Sequence, residues 1–283
     1  MREEQAGGAS WVRLMVRPFM IAPGQPVSLS RFDPDYHGEY VSKDDPAVKE
    51  KLQADLRAMA ELQEKLYAEG KQALLVVLQG MDTAGKDGTI RHVMSGLNPQ
   101  SCQVVCFKVP TSDELAHDFL WRVHRCTPAK GHIAVFNRSH YEDVLVVRVK
   151  GLVSQDVWRR RYEHINAFEK LLADSGTRVV KLFLHISKDE QRRRLKERLA
   201  DPTKQWKFNP EDLRERERWD EYMAAYEDAL SLCSTPWAPW YVVPANHKWY
   251  RNLVVADVLT RTLTEMGPDY PPPQVDVAKL EIR

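Results

Sequence analysis

Residues 80–89 read GMDTAGKDGT, and this stretch decides the fold of the chain. An apolar run over residues 73–78 precedes it, and residues 90–94 after it can continue as a helix. A strand, a glycine-containing turn with a lysine and a helix start together form a site for phosphate, because the loop amides and the positive end of the helix dipole point at one place. The stretch matches the pattern GxxxxGK[ST] except at its last position, where Asp87 replaces the hydroxyl residue. The predicted phosphate-binding residues of this loop are Gly85, Lys86, Asp87, Gly88 and Thr89.

The composition excludes some classes of protein. The 283 residues include 41 Lys and Arg and 40 Asp and Glu, so the net charge of +1 argues against a uniformly basic protein that binds nucleic acid, although it allows a local basic channel. The cysteines form no CxxC pair, which favours reduced thiols over a zinc site or disulfides. The first residues start no apolar signal segment, and no apolar run reaches the ~18 residues that a membrane span needs. We expect a cytoplasmic protein whose partners include neither nucleic acid nor a membrane.

Helices and strands alternate through most of the chain. Apolar residues recur at helical spacing from Pro46 to Gly70, and a glycine there is typical of a helix end. Beyond it, predicted strands at 73–78, 103–109, 132–136, 179–186 and 240–243 alternate with helical stretches at 86–96, 113–126, 154–175, 188–200, 212–232 and 247–266. This alternation predicts an α/β fold with a mostly parallel sheet between two helical layers, a three-layer α/β/α sandwich. We expect an N-terminal extension over residues 1–46, one domain over 47–266 and a C-terminal tail over 267–283.

An irregular segment between Leu199 and Leu213 interrupts the helical region, and it contains lysine and tryptophan. Arginines and lysines flank it on both sides, namely Arg192, Arg193, Arg194, Lys196 and Arg198 before it and Arg214, Arg216 and Arg218 after it. Two helices that carry such a loop, over about residues 190–218, are typical of a closing lid. The alternative is a pair of solvated charged helices, because glutamates are interleaved with the arginines. The phosphate loop favours the lid.

Two carboxylates of this loop region, Asp82 and Asp87, are possible ligands of a metal ion. In an ordinary P-loop kinase the residue after the lysine is Ser or Thr and helps to hold Mg²⁺, a role that Asp87 cannot take in the same way. A carboxylate there repels phosphates unless a cation lies between them, or unless it caps the following helix, where the dipole favours it. Asp82 is therefore our candidate for the metal ligand. The alternative for Asp82 is an Asx-turn that shapes the loop.

The third predicted strand ends in four apolar residues followed by Asn137 and Arg138. It resembles a Walker B strand, in which an Asp supports Mg²⁺, but Asn137 offers only a neutral oxygen at that position. Glu142, five residues further on, can supply the missing charge and is the second candidate metal ligand. Arg138 suits bidentate contact with phosphate oxygens, and a surface ion pair is its alternative. Ligands collect at the carboxyl ends of parallel strands, which favours the contact with phosphate.

Four segments make the chain resemble the family-2 polyphosphate kinases: GMDTAGKDGT, NRSHYEDVLVVRV, KQWKFNPEDLRERERWDEY and PANHKWYRN, in this order. The resemblance spans about residues 72–255. It implies a P-loop kinase fold and a reversible phosphoryl transfer between inorganic polyphosphate and a nucleotide, assisted by Mg²⁺ or Mn²⁺. It also implies that Asp82 binds the metal, that Lys86 and Arg138 contact phosphates, and that Arg198 enters the site from the lid.

Asn137 is similar to the subgroups of this family that use AMP, including class III-like members that phosphorylate both AMP and ADP. Members that prefer nucleoside diphosphates often carry Asp at this position. It stays open whether Glu142 binds metal or selects the acceptor. The resemblance implies polyphosphate, AMP, ADP and ATP as substrates, and assembly into dimers or tetramers.

Polyphosphate is a flexible polyanion without a base, so its site should be an electropositive track whose affinity falls with salt. The candidates for this track are Arg192, Arg193, Arg194, Arg198, Lys204 and Lys207. The candidate catalytic residues are Asp82, Lys86, Arg138 and Glu142, and the candidate nucleotide-binding residues are Asn137, Glu142 and Trp206. For Trp206, stacking on a base and packing against the core are equal alternatives.

Two other functions compete with the polyphosphate-dependent kinase. An ATP-dependent nucleoside monophosphate kinase shares the loop and the lid, but Asp82 and Asp87 argue against it. A nucleotide-binding module without turnover is the second, and the lid arginines argue against it because a switch protein has less need of a mobile cationic arm.

Overall fold

The computed structural model describes residues 19–277 and residue 280. At its centre lies a five-stranded sheet in the order β2-β3-β1-β4-β5, and all of its pairings are parallel. The strands are β1 (Ala73–Gln79), β2 (Cys102–Cys106), β3 (Ile133–Asn137), β4 (Thr177–His185) and β5 (Trp240–Pro244). The central strand β1 is buried along its whole length, because its continuous apolar run packs against helices on both faces. The predicted parallel sheet is confirmed.

Ten α-helices surround the sheet in the described part of the chain. They are α1 (Pro46–Glu69), α2 (Lys86–Val93), α3 (Ser112–Leu115), α4 (Trp121–His124), α5 (Val146–Val149), α6 (Gln155–Asp174), α7 (Lys188–Ala200), α8 (Glu211–Glu217), α9 (Trp219–Cys233) and α10 (Lys248–Met266). Helices α1, α2 and α10 pack together on one face, and α5, α6 and α9 pack together on the other. The predicted three-layer α/β/α sandwich is therefore confirmed.

Local sequence signals set several boundaries of these elements. The Asp45 carboxylate accepts a hydrogen bond from the Ala47 amide at 2.9 Å and caps α1. The same helix ends at Gly70, whose φ of 63° is left-handed.

Several predicted elements differ from the structure, and the helix predicted at 86–96 ends at Val93. The stretch at 113–126 forms two short helices, because Asp118 accepts a hydrogen bond from the Leu120 amide and competes with the helix. The helix predicted at 212–232 divides at Arg218, whose ψ of 24° is not helical. Strand β2 ends at Cys106 rather than at 109, because it is there opposite Asn137, where its partner β3 also ends.

Of the predicted extension over residues 1–46, residues 19–46 pack against the rest of the structure, and residues 1–18 lie outside the described residues. Met20 forms an antiparallel bridge with Tyr241 of β5, and Phe19, Ile21 and Leu29 are buried in the core. Residues 267–277 contain neither an α-helix nor a strand. No helix within residues 19–277 has the length and apolar character that a membrane crossing requires.

Candidate active site

The phosphate loop runs over residues 80–85, between β1 and α2. Gly85 precedes the helix with φ of 106°, a conformation that residues with a side chain disfavour. The next side chain, Lys86, is buried, and its ammonium donates a hydrogen bond to the Gly80 carbonyl at 2.6 Å. Burial and the nearby Arg138 charge lower the pKa of Lys86 below its ordinary value. The loop therefore folds around the Lys86 side chain, and a bound anion would stabilise the charged form of this lysine.

Arg138, directly after β3, connects the strand tip to the phosphate loop. Its backbone amide donates to the Leu78 carbonyl at 3.1 Å, and its φ of 61° is left-handed. The guanidinium donates to the Asp82 carboxylate at 2.7 Å and to the Glu142 carboxylate at 3.2 Å. Glu142 raises the pKa of Arg138 more than burial lowers it. The left-handed backbone at Arg138 is strained, and it directs the guanidinium toward Asp82 in the phosphate loop.

Asp87 does not cap the helix in which it lies. One of its carboxylate oxygens accepts a hydrogen bond from the Asn137 amide at 2.9 Å, and the other accepts one from Lys207 at 3.1 Å. Burial raises the pKa of Asp87, but these two donors outweigh it and leave the pKa below its ordinary value. The residue that departs from the GxxxxGK[ST] pattern thus joins α2, the tip of β3 and the lid segment, which is residues 201–210 between α7 and α8.

These elements enclose a cleft of about 470 Å³ at the carboxyl ends of β1, β2 and β3. Its cationic lining consists of Lys86, Lys108, Arg138, Arg194, Arg198, Lys204, Lys207 and Lys248. Three carboxylates also line it, those of Asp82, Asp87 and Glu197. Eight cations against three anions make the cleft strongly electropositive although the whole chain is almost neutral, which suits a polyanionic ligand.

Two arginines of α7 hold the lid segment and the loop in place. Arg194 is buried, and four backbone carbonyls accept hydrogen bonds from it, those of Thr83, Ala84, Ala245 and Asn246. Arg198 donates to the Asp212 carboxylate at 3.0 Å and to the Lys207 carbonyl at 3.3 Å. Arg194 thereby ties the middle of α7 to the phosphate loop, and Arg198 ties its end to the segment that leads into α8.

Comparison with known proteins decides the family. A family model described as polyphosphate kinase 2 matches residues 41–271. The chain belongs to this family. An AMP/ADP-polyphosphate phosphotransferase of Meiothermus ruber is 52% identical over 267 residues, which are 94% of this chain and 100% of that protein. An ADP-polyphosphate phosphotransferase of Rhodopseudomonas palustris is 43% identical over 92% of this chain and 93% of its own length.

A solved structure agrees with this assignment. The crystal structure of polyphosphate kinase 2 from Arthrobacter aurescens TC1 has a TM-score of 0.88 and 46% identity, and the match covers 92% of this chain and 93% of that one. The predictions of this family, of a P-loop kinase fold and of a polyphosphate-dependent nucleotide kinase are confirmed. Neither the ATP-dependent monophosphate kinase nor the module without turnover is favoured.

Most of the predicted site residues of this polyphosphate kinase line the cleft. They are Asp82, Gly85, Lys86, Asp87, Asn137, Arg138, Arg194, Arg198, Lys204 and Lys207. Gly88 and Thr89 do not line it, and Thr89 is fully buried. Glu142 lies in a small adjoining space beside Asp82 and Arg138. The chemical roles predicted for these residues stay predictions.

Three predicted residues lie away from the cleft. Trp206 is 77% exposed, so it does not pack against the core, and its indole donates to the Thr203 carbonyl at 3.0 Å. Arg192 and Arg193 lie on the exposed face of α7, where they form ion pairs with acidic residues of the same helix. Stacking of Trp206 on a base remains a prediction, and the predicted electropositive track loses Arg192 and Arg193.

Sequence reasoning missed several residues of the site, among them five charged ones. Lys108 and Lys248 line the cleft, Asp212 and Glu215 face Asp82, and Arg251 lies against the loop. The signal for Lys108 was its position just after a parallel strand, where ligands collect. Glu215 is one of the glutamates interleaved with the lid arginines, and Asp212 carries no sequence signal beyond its place in the irregular segment.

Carboxylates crowd around Asp82. Burial and the charge of Asp82 raise the pKa of Asp212 to about 6, and the same causes raise the pKa of Glu215. Burial also raises the pKa of Asp82, but Arg138 and Lys86 outweigh it and leave the pKa lowered. Such oxygen donors with excess negative charge fit a hard divalent cation.

The Asp82 carboxylate forms an ion pair with Arg138. In the described part of the chain, no three His, Cys, Asp or Glu side chains stand ready to hold a metal ion. Polyphosphate kinases of this family are generally dependent on a divalent metal. By charge and donor type the residues fit such an ion, with Asp82 as the carboxylate that also lines the cleft.

Proposed function

We propose that this protein transfers a phosphoryl group reversibly between inorganic polyphosphate and AMP or ADP, with Mg²⁺ or Mn²⁺ as the metal. The observation that carries the proposal is the charge of the cleft. Eight cationic side chains, Lys86 among them, line it together with only three carboxylates. A polyanion without a base is recognised by charge along its length, so an extended basic cleft suits it. The names of the two relatives support AMP and ADP as acceptors.

The proposed roles follow from position. Lys86 and the loop amides hold the phosphoryl group in transfer, and Arg138 contacts its oxygens from the tip of β3. Arg198, Lys204 and Lys207 hold the remainder of the polyphosphate chain from the lid. No strong base is needed, because the acceptor oxygen is an anionic phosphate oxygen.

Asp82 and Glu142 are the residues that we propose as metal ligands. The metal, when bound, neutralises negative charge on the phosphates. Arg138 donates to both carboxylates, so its guanidinium holds the two candidate ligands close to each other. Asn137, whose amide is held by Asp87, stands at the strand tip where we place the acceptor. We further propose a cytoplasmic location and a dimeric or tetrameric assembly.

An assay with a single donor tests the proposal. The protein is incubated with Mg²⁺, with AMP or ADP and with polyphosphate as the only donor, and the nucleotides are separated by chromatography. We expect ADP from AMP and ATP from ADP, and we expect chelation of the metal to abolish both. Transfer that occurs from ATP but never from polyphosphate would contradict the proposal, as would binding without turnover.

A further inference from the structure

A buried arginine lies against the phosphate loop on the side of α10. Arg251 is 3% exposed, and its guanidinium donates to the Ala84 carbonyl at 3.3 Å and to the Asn252 side chain at 2.8 Å. A Cβ at position 85 would lie 1.8 Å from this guanidinium, and one at position 88 would lie 3.2 Å from it. Arg251 therefore occupies the space that side chains at both glycines of the loop would need.

The charge of Arg251 has no acidic partner. Among the described residues, no carboxylate oxygen lies within 4.0 Å of its guanidinium, and the same holds for Lys86. The other buried cations have such partners: Lys181 with Glu169, Arg194 with Glu190, and Arg122 with Glu114. Burial and the nearby Arg194 lower the pKa of Arg251 to about 10. An uncompensated buried charge destabilises the fold, so its presence calls for a counter-ion that arrives later.

The loop backbone next to Arg251 is oriented for an anion. The Ala84 carbonyl accepts hydrogen bonds from both Arg251 and Arg194, at 3.3 and 3.1 Å. In a trans peptide the next N–H points the opposite way, so the Gly85 N–H points away from these arginines. Within the described residues this N–H donates no hydrogen bond. It is therefore free to donate to a phosphate oxygen in the cleft that Gly85 lines.

We propose that Arg251 is a positioning residue of the phosphate loop, and that the phosphate bound in the cleft is its missing counter-ion. It fixes the Ala84–Gly85 peptide with the N–H toward the ligand, and its charge acts on the bound anion through the loop. Arg251 does not itself line the cleft, so it acts without direct contact to the substrate. The identity of the anion as polyphosphate rests on the proposed function, whereas the positioning role of Arg251 requires only that some phosphate binds at the loop.

A simple structural tether is the competing explanation, and the two differ in the effect of charge. We compare binding of tripolyphosphate and of ATP by calorimetry in the wild type, Arg251→Met, Arg251→Lys and the control Arg178→Met. Arg178→Met makes the same change in net charge as Arg251→Met. Arg178 lies exposed at the start of β4, at the opposite end of the strand from the cleft, so this change should not reach the site. We expect Arg251→Met to bind roughly tenfold more weakly, with a shallower salt dependence, and Arg251→Lys to retain most of the affinity. The control should match the wild type.

Thermal unfolding without ligand separates positioning from tethering. Removal of an uncompensated charge should leave the unliganded melting temperature of Arg251→Met close to that of the wild type and reduce the rise that tripolyphosphate causes. Wild-type affinity in Arg251→Met would overturn the proposal, and so would a lower melting temperature with unchanged affinity. If Arg251→Met does not fold, Arg251→Lys decides, because loss of binding in that folded variant also overturns the proposal. If the wild type binds ATP but not tripolyphosphate, the proposed donor is wrong, and ATP then serves as the probe for Arg251.

Discussion

The ammonium of Lys207 lies 3.1 Å from the Asp87 carboxylate and joins the lid segment to the first turn of α2. The other oxygen of the same carboxylate accepts a hydrogen bond from Asn137. Both ion-pair partners are exposed, so the pair alone contributes only about 0–1 kcal/mol. Its significance is geometric, because Asp87 is the point at which the loop, the strand tip and the lid meet.

This relationship gives a prediction for the lid. We expect Lys207→Met to weaken polyphosphate binding several-fold and to speed backbone hydrogen exchange over residues 201–210, since the variant loses both a cleft charge and the contact with Asp87. Calorimetry and exchange mass spectrometry measure the two effects. Lys196→Met, on α7 but outside the cleft, is the matched control. Wild-type behaviour of Lys207→Met in both measurements would show that the contact does not hold the lid.

The loop lysine should carry a large part of catalysis. We expect Lys86→Ala to lose at least ~3 kcal/mol of transition-state stabilisation, measured as kcat/KM, because it removes a preorganised charge from the phosphate site. Lys71→Ala is the control, since this exposed lysine precedes β1 at the opposite end of the strand. If Lys86→Ala keeps near-full activity, the assignment of the loop is wrong.

Asn137 should influence the choice of acceptor. We expect Asn137→Asp to alter the ratio of kcat/KM for AMP to that for ADP, because a carboxylate there repels Asp87 and changes the charge at the tip of β3. Steady-state kinetics with both acceptors measure the ratio. Asn98→Asp is the control for the same chemical change, because Asn98 is exposed and precedes β2 at the end of the strand opposite the cleft. An unchanged ratio in Asn137→Asp would remove Asn137 from acceptor selection.

A buried histidine should make the fold sensitive to acid. Burial lowers the pKa of His185 to about 4, so the folded protein holds this ring neutral while the unfolded chain binds a proton below about pH 6.5. The stability that depends on the neutral ring is complete above pH 6.5 and is lost, by about 3 kcal/mol, as the pH falls toward 4. Urea unfolding at several pH values measures it.

The matched variants for this acid effect are His185→Phe and His164→Gln. We expect His185→Phe to have a flatter dependence of unfolding free energy on pH between 6.5 and 4. His164 is exposed on α6, so its replacement should leave the wild-type dependence in place. Identical pH dependence in all three proteins would contradict the role of His185.

A buried ion pair between the sheet and α6 should contribute strongly to stability. Lys181 donates to the Glu169 carboxylate at 2.5 Å, and both side chains are fully buried. Burial raises the pKa of Glu169, but Lys181 and His140 outweigh it and leave the pKa lowered. We expect Lys181→Met to cost about 3–5 kcal/mol of unfolding free energy, because it leaves the carboxylate buried without its main partner.

The exposed pair of Lys170 with Asp174 on the same helix provides the comparison for this effect. Lys170→Met should change the unfolding free energy by less than about 1 kcal/mol. Equal losses of unfolding free energy in Lys181→Met and Lys170→Met, measured by denaturant unfolding, would show that the buried pair stabilises the fold no more than the exposed pair.

The sequence predicted the architecture because the relevant signals are local. The apolar run before Gly80 predicted a buried strand, and alternation with helices predicted the parallel sheet. The predicted boundaries were wrong where a side chain competes with the backbone, as Asp118 does between α3 and α4. For the site, Asp82, Lys86 and Arg138 were readable because they stand in or beside short motifs at strand ends.

The sequence by itself thus determined the fold class, the phosphate loop and the position of its lysine. Only the tertiary structure decided that Asp87 contacts Asn137 and Lys207, and that Arg194 is a buried anchor of the loop rather than a free lid cation. These contacts join segments more than 40 residues apart, with separations of 50, 120 and 111 residues. Helix and strand periodicity reports which face of an element is buried, but it carries no information about which distant side chain packs there. The choice of partner is made when the layers pack together.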